Sequence, residues 1–261
     1  MGILSKLLKR EIVIERDNQV PRMARGRIAR NWSTSPAGSV DALKPFTIPI
    51  IPRSEWPDRI RQLEKDGLTS TMILDSGLRS KNQQSTNFCW GNGPCGLTEA
   101  LRALAGSPHV ELSPASACAP IKNFRNQGGW GGEWVNWVAK NGINSAQEYP
   151  VNSLSSSYYN QTNKELASKR KITEFFELQP RNFSQVMTCL LNRIMVAVGL
   201  NWWGHEVYLV DPIMLTTTTF GTRFRNSWGD SYGEQGFNVL NEAKSTPDDA
   251  VAPTSNNAFV K

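Results

Sequence analysis

The order of the hydrophobic patterns along the chain is the feature that most limits its fold. Four apolar residues recur at the spacing of one helix face: Leu97, Ala100, Leu101 and Leu104. Further helices are predicted over 56–65, 133–141 and 184–193, and strand-like runs follow over 194–200, 206–215, 218–225 and 237–240. Helices that precede strands predict an α+β protein, in which a helical half packs against an antiparallel sheet half. A cleft between two such halves is the usual place for a functional site.

The two ends of the 261-residue chain differ in composition from its middle. Residues 1–30 hold eight Lys or Arg and three acidic residues, a balance of +5 in a chain whose net charge is +6. We predict a basic arm or linker over 1–45, a helical half over 46–160, a β half over 161–244 and a C-terminal tail over 245–261. The arm has three interpretations: a solvated flexible tail, an anionic docking surface or an autoinhibitory pro-segment.

The charge pattern and the apolar runs exclude several classes of protein. Beyond residue 30 the chain is almost neutral, which argues against a nucleic-acid-binding body. The longest apolar run, 194–200, has the length of a strand, so we expect no membrane span. The first ten residues lack the apolar core and the cleavage site of a signal peptide. We therefore expect a cytoplasmic protein, or one associated with a virion.

Two histidines, His109 and His205, and four cysteines without paired spacing limit the chemistry of the chain. Two histidines cannot form a His-rich metal site, and the glycine motif at 91–96 follows a polar segment rather than a strand, so we predict neither a metal nor a cofactor. Cys89 precedes an amphipathic stretch, which places it near a helix N-terminus, where a thiol ionises more readily. A histidine that accepts its proton, and an amide that orients the histidine, would complete an acyl-transfer site.

Three segments, in this order, closely resemble the active-site blocks of the papain-like cysteine peptidases. They are Gln83 with Cys89 and Trp90, His205 with the apolar residues after it, and 226–229. The segments 126–132, 141–150 and 233–237 also resemble that family, so the likeness extends over about 53–242. It implies a papain-like fold, in which the helical half carries the nucleophile, an antiparallel sheet or barrel forms the other half, and the active-site cleft lies between them. It also implies a thiol peptidase with a polypeptide substrate.

The resemblance implies a role for each matched residue. Cys89 would be the nucleophilic thiolate, and His205 would be its imidazolium partner and later the general acid. Asn226 would hold the second ring nitrogen of the histidine, and Trp228 would shield that hydrogen bond from water. Gln83 would donate its side-chain amide to the oxyanion of the tetrahedral intermediate, together with the backbone N–H of Cys89.

The same resemblance implies how a substrate would bind. Gly131 and Gly132 would offer bare backbone to an extended substrate, which would pair with them as a strand does. Glu133 would fall at the family's second specificity pocket and favour basic or polar side chains there. Trp228 is grouped with these three residues on the substrate-binding surface.

The sequence departs from the family pattern at several positions. Thr86 and Gly129 stand where two cysteines of the family form a disulfide, which agrees with a reducing compartment. Pro94 and the glycines around it occupy the first turns of the predicted central helix, so we expect that helix to start late. A basic arm of about 45 residues stands in place of the family's long inhibitory propeptide. The likeness is therefore to a short, propeptide-poor, non-lysosomal type.

A second class of function stands beside the peptidase. The chain could be a structural component of a large assembly such as a virion, which keeps the fold and docks on an anionic surface through residues 1–30. The same site could also act on another acyl donor, such as an isopeptide.

Overall fold

The computed structural model of the protein describes residues 23–254. The helices in that range are α1 (Trp56–Asp66), α2 (Thr69–Asp75), α3 (Cys89–Leu104), α4 (Ala115–Ile121), α5 (Gly131–Asn141), α6 (Gln161–Ser168), α7 (Phe183–Leu191) and α8 (Glu242–Ser245). Short 3₁₀ helices lie at Arg53–Glu55 and Ser156–Tyr158. The bounds of α1, α5 and α7 agree with the sequence prediction to within two residues. Over residues 23–254, no helix is both long enough and apolar enough to cross a bilayer.

Seven strands form one sheet within the described residues: β1 (Leu43–Pro45), β2 (Phe175–Leu178), β3 (Val196–Leu200), β4 (His205–Met214), β5 (Phe220–Arg225), β6 (Phe237–Asn241) and β7 (Asp249–Pro253). Their order across the sheet is β1-β2-β7-β3-β4-β5-β6. β1 and β2 are parallel, and the other neighbouring strands are antiparallel. The four strands predicted from apolar runs are therefore consecutive in space, from β3 to β6.

Helices cover both faces of the sheet, because its central strands are apolar on both sides. In β4, Val207 and Leu209 pack in the core cluster that includes α1 and α7. Tyr208 and Val210 alternate with them and pack in the cluster that includes α3, α4 and α5. The α+β class predicted from the sequence is confirmed.

Helix α3 begins at Cys89, whereas its glycine- and proline-rich first turns predicted a later start. The glycines permit close contacts: a Cβ on Gly91 would lie 2.2 Å from Cys118 Sγ, and one on Gly96 would lie 2.9 Å from the ring of Tyr208. Helix α3 can therefore lie directly against α4 and β4. This packing offsets the low helix propensity of glycine and brings the start of α3 to the first residues of β4.

The prediction of a C-terminal tail over 245–261 is wrong for the part that the structure describes. Residues 249–253 form β7, which pairs with β2 on one side and β3 on the other, and every residue of it is buried. Ala250 and Ala252 face one core cluster and Val251 faces the other. The small side chains let this short strand fit between helices on both faces. Residues 255–261 lie outside the described residues.

The described part of the predicted arm, residues 23–45, packs against the body. The guanidinium of Arg30 lies between the indole rings of Trp32 and Trp130, 3.9 and 4.3 Å from their centroids. Arg27 is also buried and pairs with Asp249 of β7. These two of the eight basic residues in 1–30 therefore lie inside the protein and are not available to a docking surface. Residues 1–22 lie outside the described residues.

Candidate active site

Cys89 lies at the first position of α3 and is completely buried. Gly93, one turn further along the helix, lies close to β4, since a Cβ there would be 3.4 Å from Glu206 Cγ. The backbone N–H groups of Gly26 and Glu206 both act on the Cys89 thiol, and the Gly26 nitrogen lies 3.2 Å from its Sγ. Since Glu206 follows His205 directly, the start of α3 and the start of β4 bring the predicted thiol and the predicted histidine together.

The His205 ring is held by residues from the end of β5. His205 Nε2 lies 2.7 Å from Asn226 Oδ1, which also accepts the backbone N–H of Ser227. Because this oxygen is an acceptor, Nε2 carries the proton of the neutral ring. The indole of Trp228 stacks on the imidazole at 4.7 Å with an interplanar angle of 26°. The other nitrogen, Nδ1, is buried and has no hydrogen-bond partner among the described residues.

Gln83 is buried beside this group, and its amide is fixed at both ends. The Ser227 hydroxyl donates to Gln83 Oε1 at 2.6 Å, so the amide nitrogen must point the other way. That nitrogen donates to the carbonyl oxygens of Thr86 and Ala24, at 2.8 and 3.0 Å. The Trp228 indole nitrogen also faces the Ala24 oxygen, at 3.4 Å. The predicted oxyanion donor therefore has a main-chain carbonyl of the arm as its acceptor.

Residues 24–28 of the arm run past these groups as an extended segment. The Gly129 N–H donates to the Gly26 oxygen at 2.9 Å, and the Ile28 N–H donates to the Gly129 oxygen at 2.9 Å, which is a parallel bridge between residues 27 and 129. Only glycine fits at position 26, because a Cβ would lie 1.9 Å from the carbonyl oxygen of Asn87. The arm therefore covers the Cys89 thiol with its own backbone.

The structure places the two glycines that were predicted to bind substrate within a helix. Gly131 and Gly132 form the first turn of α5 and are buried. The Gly131 N–H donates to Glu206 Oε2 at 3.0 Å, and a Cβ on Gly132 would lie 2.0 Å from the Trp130 ring. Their backbone therefore meets parts of the protein itself, and the residue that pairs with an extended segment is Gly129.

Glu133 lies near the extended segment, but its charge is already matched. A Cβ on Gly129 would lie 2.7 Å from Glu133 Oε2, and the same oxygen lies 2.6 Å from Lys122 Nζ. The carboxylates that face Arg27 of the arm are instead Asp249 and Glu206. Glu133 stands beside the site rather than in the pocket that Arg27 fills.

The electrostatics of the covered site favour neutral groups. Burial raises the pKa of the Cys89 thiol to about 12, although the N–H groups of Gly26 and Glu206 act in the opposite direction. Burial also lowers the pKa of His205 to about 3, against the hydrogen bond from Asn226, which raises it. The helix N-terminus predicted a thiolate at Cys89, and desolvation by burial outweighs that effect. With the arm in place the two residues are a neutral thiol and a neutral imidazole.

Several residues of the site were absent from the sequence prediction. Ser227 lies inside the recognised 226–229 block, and only its contact with Gln83 shows what it does. Gly129 was visible as part of a glycine-rich segment. Glu206 and Asp249 fall in a predicted strand and in the predicted tail, and no local pattern marks a carboxylate that acts across neighbouring strands.

Comparison with known proteins identifies relatives of the sequence. A family model described as papain family cysteine protease matches residues 77–214, more than half of the chain. This range includes Cys89 and His205 and ends before Asn226. Cathepsin L 2 of Paramecium tetraurelia is 26% identical over 181 residues, which are 60% of this chain and 53% of that protein. The chain thus spans about half the length of this curated relative.

Solved structures share the fold at low sequence identity. Xylellain, a cysteine protease from Xylella fastidiosa, has a TM-score of 0.61 at 14% identity, over 89% of this chain and 97% of that one. Procathepsin B S9 from Trypanosoma congolense has a TM-score of 0.59 at 15% identity, over 88% and 86%. Digestive procathepsin L 3 of Tenebrio molitor has 0.57 at 17% identity, over 68% and 66%. The papain-like fold predicted from the sequence blocks is confirmed.

Proposed function

Because the chain belongs to the papain family of cysteine proteases, we propose that it is a cysteine peptidase that hydrolyses peptide bonds through Cys89, His205 and Asn226. One observation carries the proposal: Asn226 binds His205 Nε2, and within residues 23–254 Nδ1 has no hydrogen-bond partner in the buried site that contains the Cys89 thiol. An imidazole held in this way presents a lone pair that can accept the proton of a thiol.

The proposed reaction follows the acyl-transfer sequence. His205 takes the thiol proton, and Cys89 Sγ attacks the carbonyl carbon of the scissile bond. The resulting oxyanion receives hydrogen bonds from the Gln83 amide and the Cys89 backbone N–H. His205 then returns the proton to the leaving amine, which departs and leaves a thioester. Water, deprotonated by His205, hydrolyses the thioester and restores the thiol.

The contacts of the arm support the oxyanion role of Gln83. Its amide nitrogen already donates to a main-chain carbonyl, that of Ala24, within a segment that passes over Cys89. Ser227 fixes the direction of this donor before any substrate arrives. Removal of one such donor typically costs about 100-fold or more in turnover, so its orientation matters to the rate.

The proposed reaction requires residues 24–28 to leave the site. A substrate carbonyl cannot reach Cys89 Sγ while the backbone of Gly26 covers it, and the buried pair is neutral in that state. The position of the segment favours an inhibitory pro-segment over the other two interpretations of the arm. Opening the site to water would also let the thiol and the imidazole ionise.

Intact-mass labelling with a peptidyl epoxide tests the proposal. The full-length Gly26→Ala variant is the reference, because the new methyl group meets the Asn87 carbonyl and displaces the arm from the thiol. We expect one adduct on this variant and none on Gly26→Ala/Cys89→Ala, with slow labelling of Gly26→Ala/His205→Ala. Ile28→Ala is the matched control, because this exposed side chain can be removed without displacing the arm's backbone. Folded Gly26→Ala protein that forms no adduct would contradict the proposal.

A structural role in a large assembly is the second interpretation, and neither the family match nor the buried arm favours it. The described part of the basic arm is occupied within the molecule, where Arg27 and Arg30 form buried ion pairs. We propose polypeptide substrates on the basis of the family membership.

A further inference from the structure

Three residues from three neighbouring strands form one row across the centre of the sheet. Gly199 of β3 is paired with Glu206 of β4 on one side and with Asp249 of β7 on the other. Residues directly opposite each other in antiparallel strands point to the same face of the sheet. The row therefore places two buried carboxylates on either side of a position that has no side chain.

The gap over Gly199 is filled by the side chain of Arg27. A Cβ on Gly199 would lie 2.3 Å from Arg27 Nε and 2.7 Å from its Cζ, so any other residue at this position would collide with the guanidinium group. Arg27 Nη2 donates to Asp249 Oδ2, and Nη1 donates to the Ile28 carbonyl at 3.0 Å. Only 1% of the Arg27 side chain is exposed. We call the site formed by Gly199, Glu206 and Asp249 the carboxylate pocket.

The carboxylate pocket favours a cation, because a positive charge lets its two carboxyl groups stay ionised. Burial and the neighbouring Asp249 raise the pKa of Glu206 well above its usual range, whereas Arg27 acts to lower it. Two carboxylates in a site of low dielectric repel each other, and each is costly to bury without a partner. A planar guanidinium with several fixed N–H donors satisfies such a site better than the point charge of an ammonium group.

The pocket lies one residue away from the reacting position. Gly26 lies at Cys89 Sγ, and its neighbour Arg27 lies opposite Gly129 and fills the carboxylate pocket. An extended polypeptide that replaces the arm would therefore present the side chain next to its reacting residue to Glu206 and Asp249.

We infer that the carboxylate pocket selects an arginine side chain of the polypeptide substrate, at the residue adjacent to the one attacked by Cys89, and that Arg27 occupies this pocket as an internal stand-in. The inference rests on the proposed peptidase function. It assigns the selection of a basic side chain to Asp249 and Glu206, with Gly199 as the residue that leaves room for it.

The test compares two peptidyl vinyl sulfones that differ at one residue, which is arginine in one compound and leucine in the other. The varied residue is the neighbour of the residue that carries the vinyl sulfone group. The protein is the full chain with Gly26→Ala/Arg27→Ala, which moves the arm off Cys89 and empties the carboxylate pocket. We expect the arginine compound to label Cys89 at least about tenfold faster, a ratio that corresponds to about 1.4 kcal/mol. Addition of Asp249→Asn should reduce the ratio to about twofold or less, since a charge-assisted hydrogen bond is lost.

Two further variants make the result specific to the pocket. Asp248→Asn removes the same charge one residue earlier, where the carboxylate pairs with Arg181 outside the pocket, and should keep the preference for arginine. Gly199→Ala fills the space of the guanidinium and should remove the preference even where Asp249→Asn fails to fold. Equal labelling by the arginine and leucine compounds in the Gly26→Ala/Arg27→Ala protein would overturn the inference and leave the peptidase intact. No labelling by either compound would contradict the proposed function itself.

Discussion

At the scale of single residues, the charge of His205 depends on its surroundings more than on its sequence neighbours. The ring stacks on Trp228 and binds Asn226, and both contacts fix its orientation. Its pKa, however, is lowered because the covered site excludes water. The sequence blocks identified the residue, but the state of its proton follows from its burial and from the charge of Arg25, more than 170 positions earlier in the chain.

The first prediction concerns the titration of His205. In the wild-type protein the pKa near 3 keeps the ring neutral at pH 5 and above. In Gly26→Ala, water enters the site and the midpoint should rise toward the ordinary value of 6.5. NMR of the imidazole Cε1 proton measures both midpoints, and a His205→Ala variant assigns the signal. A wild-type ring that titrates near pH 6.5 would show that the arm does not cover the site.

The second prediction concerns Ser227, which positions Gln83 without contacting the substrate. In the Gly26→Ala background, Ser227→Ala should lower kcat about tenfold with little change in KM, because the amide loses its fixed direction. Ser227→Thr keeps the hydroxyl and should restore most of the rate. Steady-state kinetics on a peptide substrate would measure the effects on kcat and on KM separately. A change in KM alone would assign Ser227 to binding.

At the scale of secondary-structure elements, the arm is held by buried contacts of its arginines. Arg30 pairs with Glu177 of β2, and its guanidinium also donates to the carbonyls of Ser35 and Pro36, both at 2.8 Å. Breaking a buried pair leaves an unmatched charge and typically costs about 3–5 kcal/mol. Loss of this contact should therefore let the arm open more often, although Arg27 still pairs with Asp249.

The third prediction follows from that contact. Arg30→Ala should increase hydrogen exchange at the Ile28 amide, which donates to Gly129, and should speed alkylation of Cys89. Arg53→Ala is the matched control, because the Arg53–Glu242 pair is exposed and worth little. Exchange and alkylation rates that respond equally to both variants would show that Arg30 has no special part in holding the arm.

Strand β7 gives a fourth prediction at the same scale. Deletion of residues 249–261 removes the strand between β2 and β3, leaves two unpaired edges and empties both core clusters of its residues. We expect insoluble or unfolded protein by circular dichroism. A chain that ends after Thr254 keeps β7 and should fold. If the chain without residues 249–261 unfolds cooperatively at the melting temperature of the wild-type protein, β7 does not have this position in the sheet.

At the scale of the whole molecule, local patterns predicted the middle of the chain and failed at its ends. The apolar runs of β3 to β6 and the stripe of α3 are strong local signals, and the three active-site segments lie on or beside them. The arm and the residues on both sides of β7 contain prolines and many polar residues, so their sequences resemble tails. Their order comes from contacts distant in sequence, such as Arg27 with Asp249, which no local pattern records.

The same reason explains why the glycine that pairs with the arm is not one of those predicted to bind substrate. Local resemblance placed the substrate backbone at Gly131 and Gly132. In the structure these residues form the first turn of α5, and the Gly131 N–H donates to the Glu206 carboxylate. The hydrogen bonds of the arm identify Gly129 because they are made by an extended segment in the site itself.

Peptide hydrolysis by the full-length Gly26→Ala variant tests the central claim most directly. The protein is incubated with an unfolded polypeptide, and new amino termini are counted by mass spectrometry, beside the wild-type protein and Gly26→Ala/Cys89→Ala. We expect cleavage by Gly26→Ala, much slower cleavage by the wild type, and none by the double variant. Equal numbers of new termini for Gly26→Ala and Gly26→Ala/Cys89→Ala would contradict a Cys89 peptidase covered by its own arm.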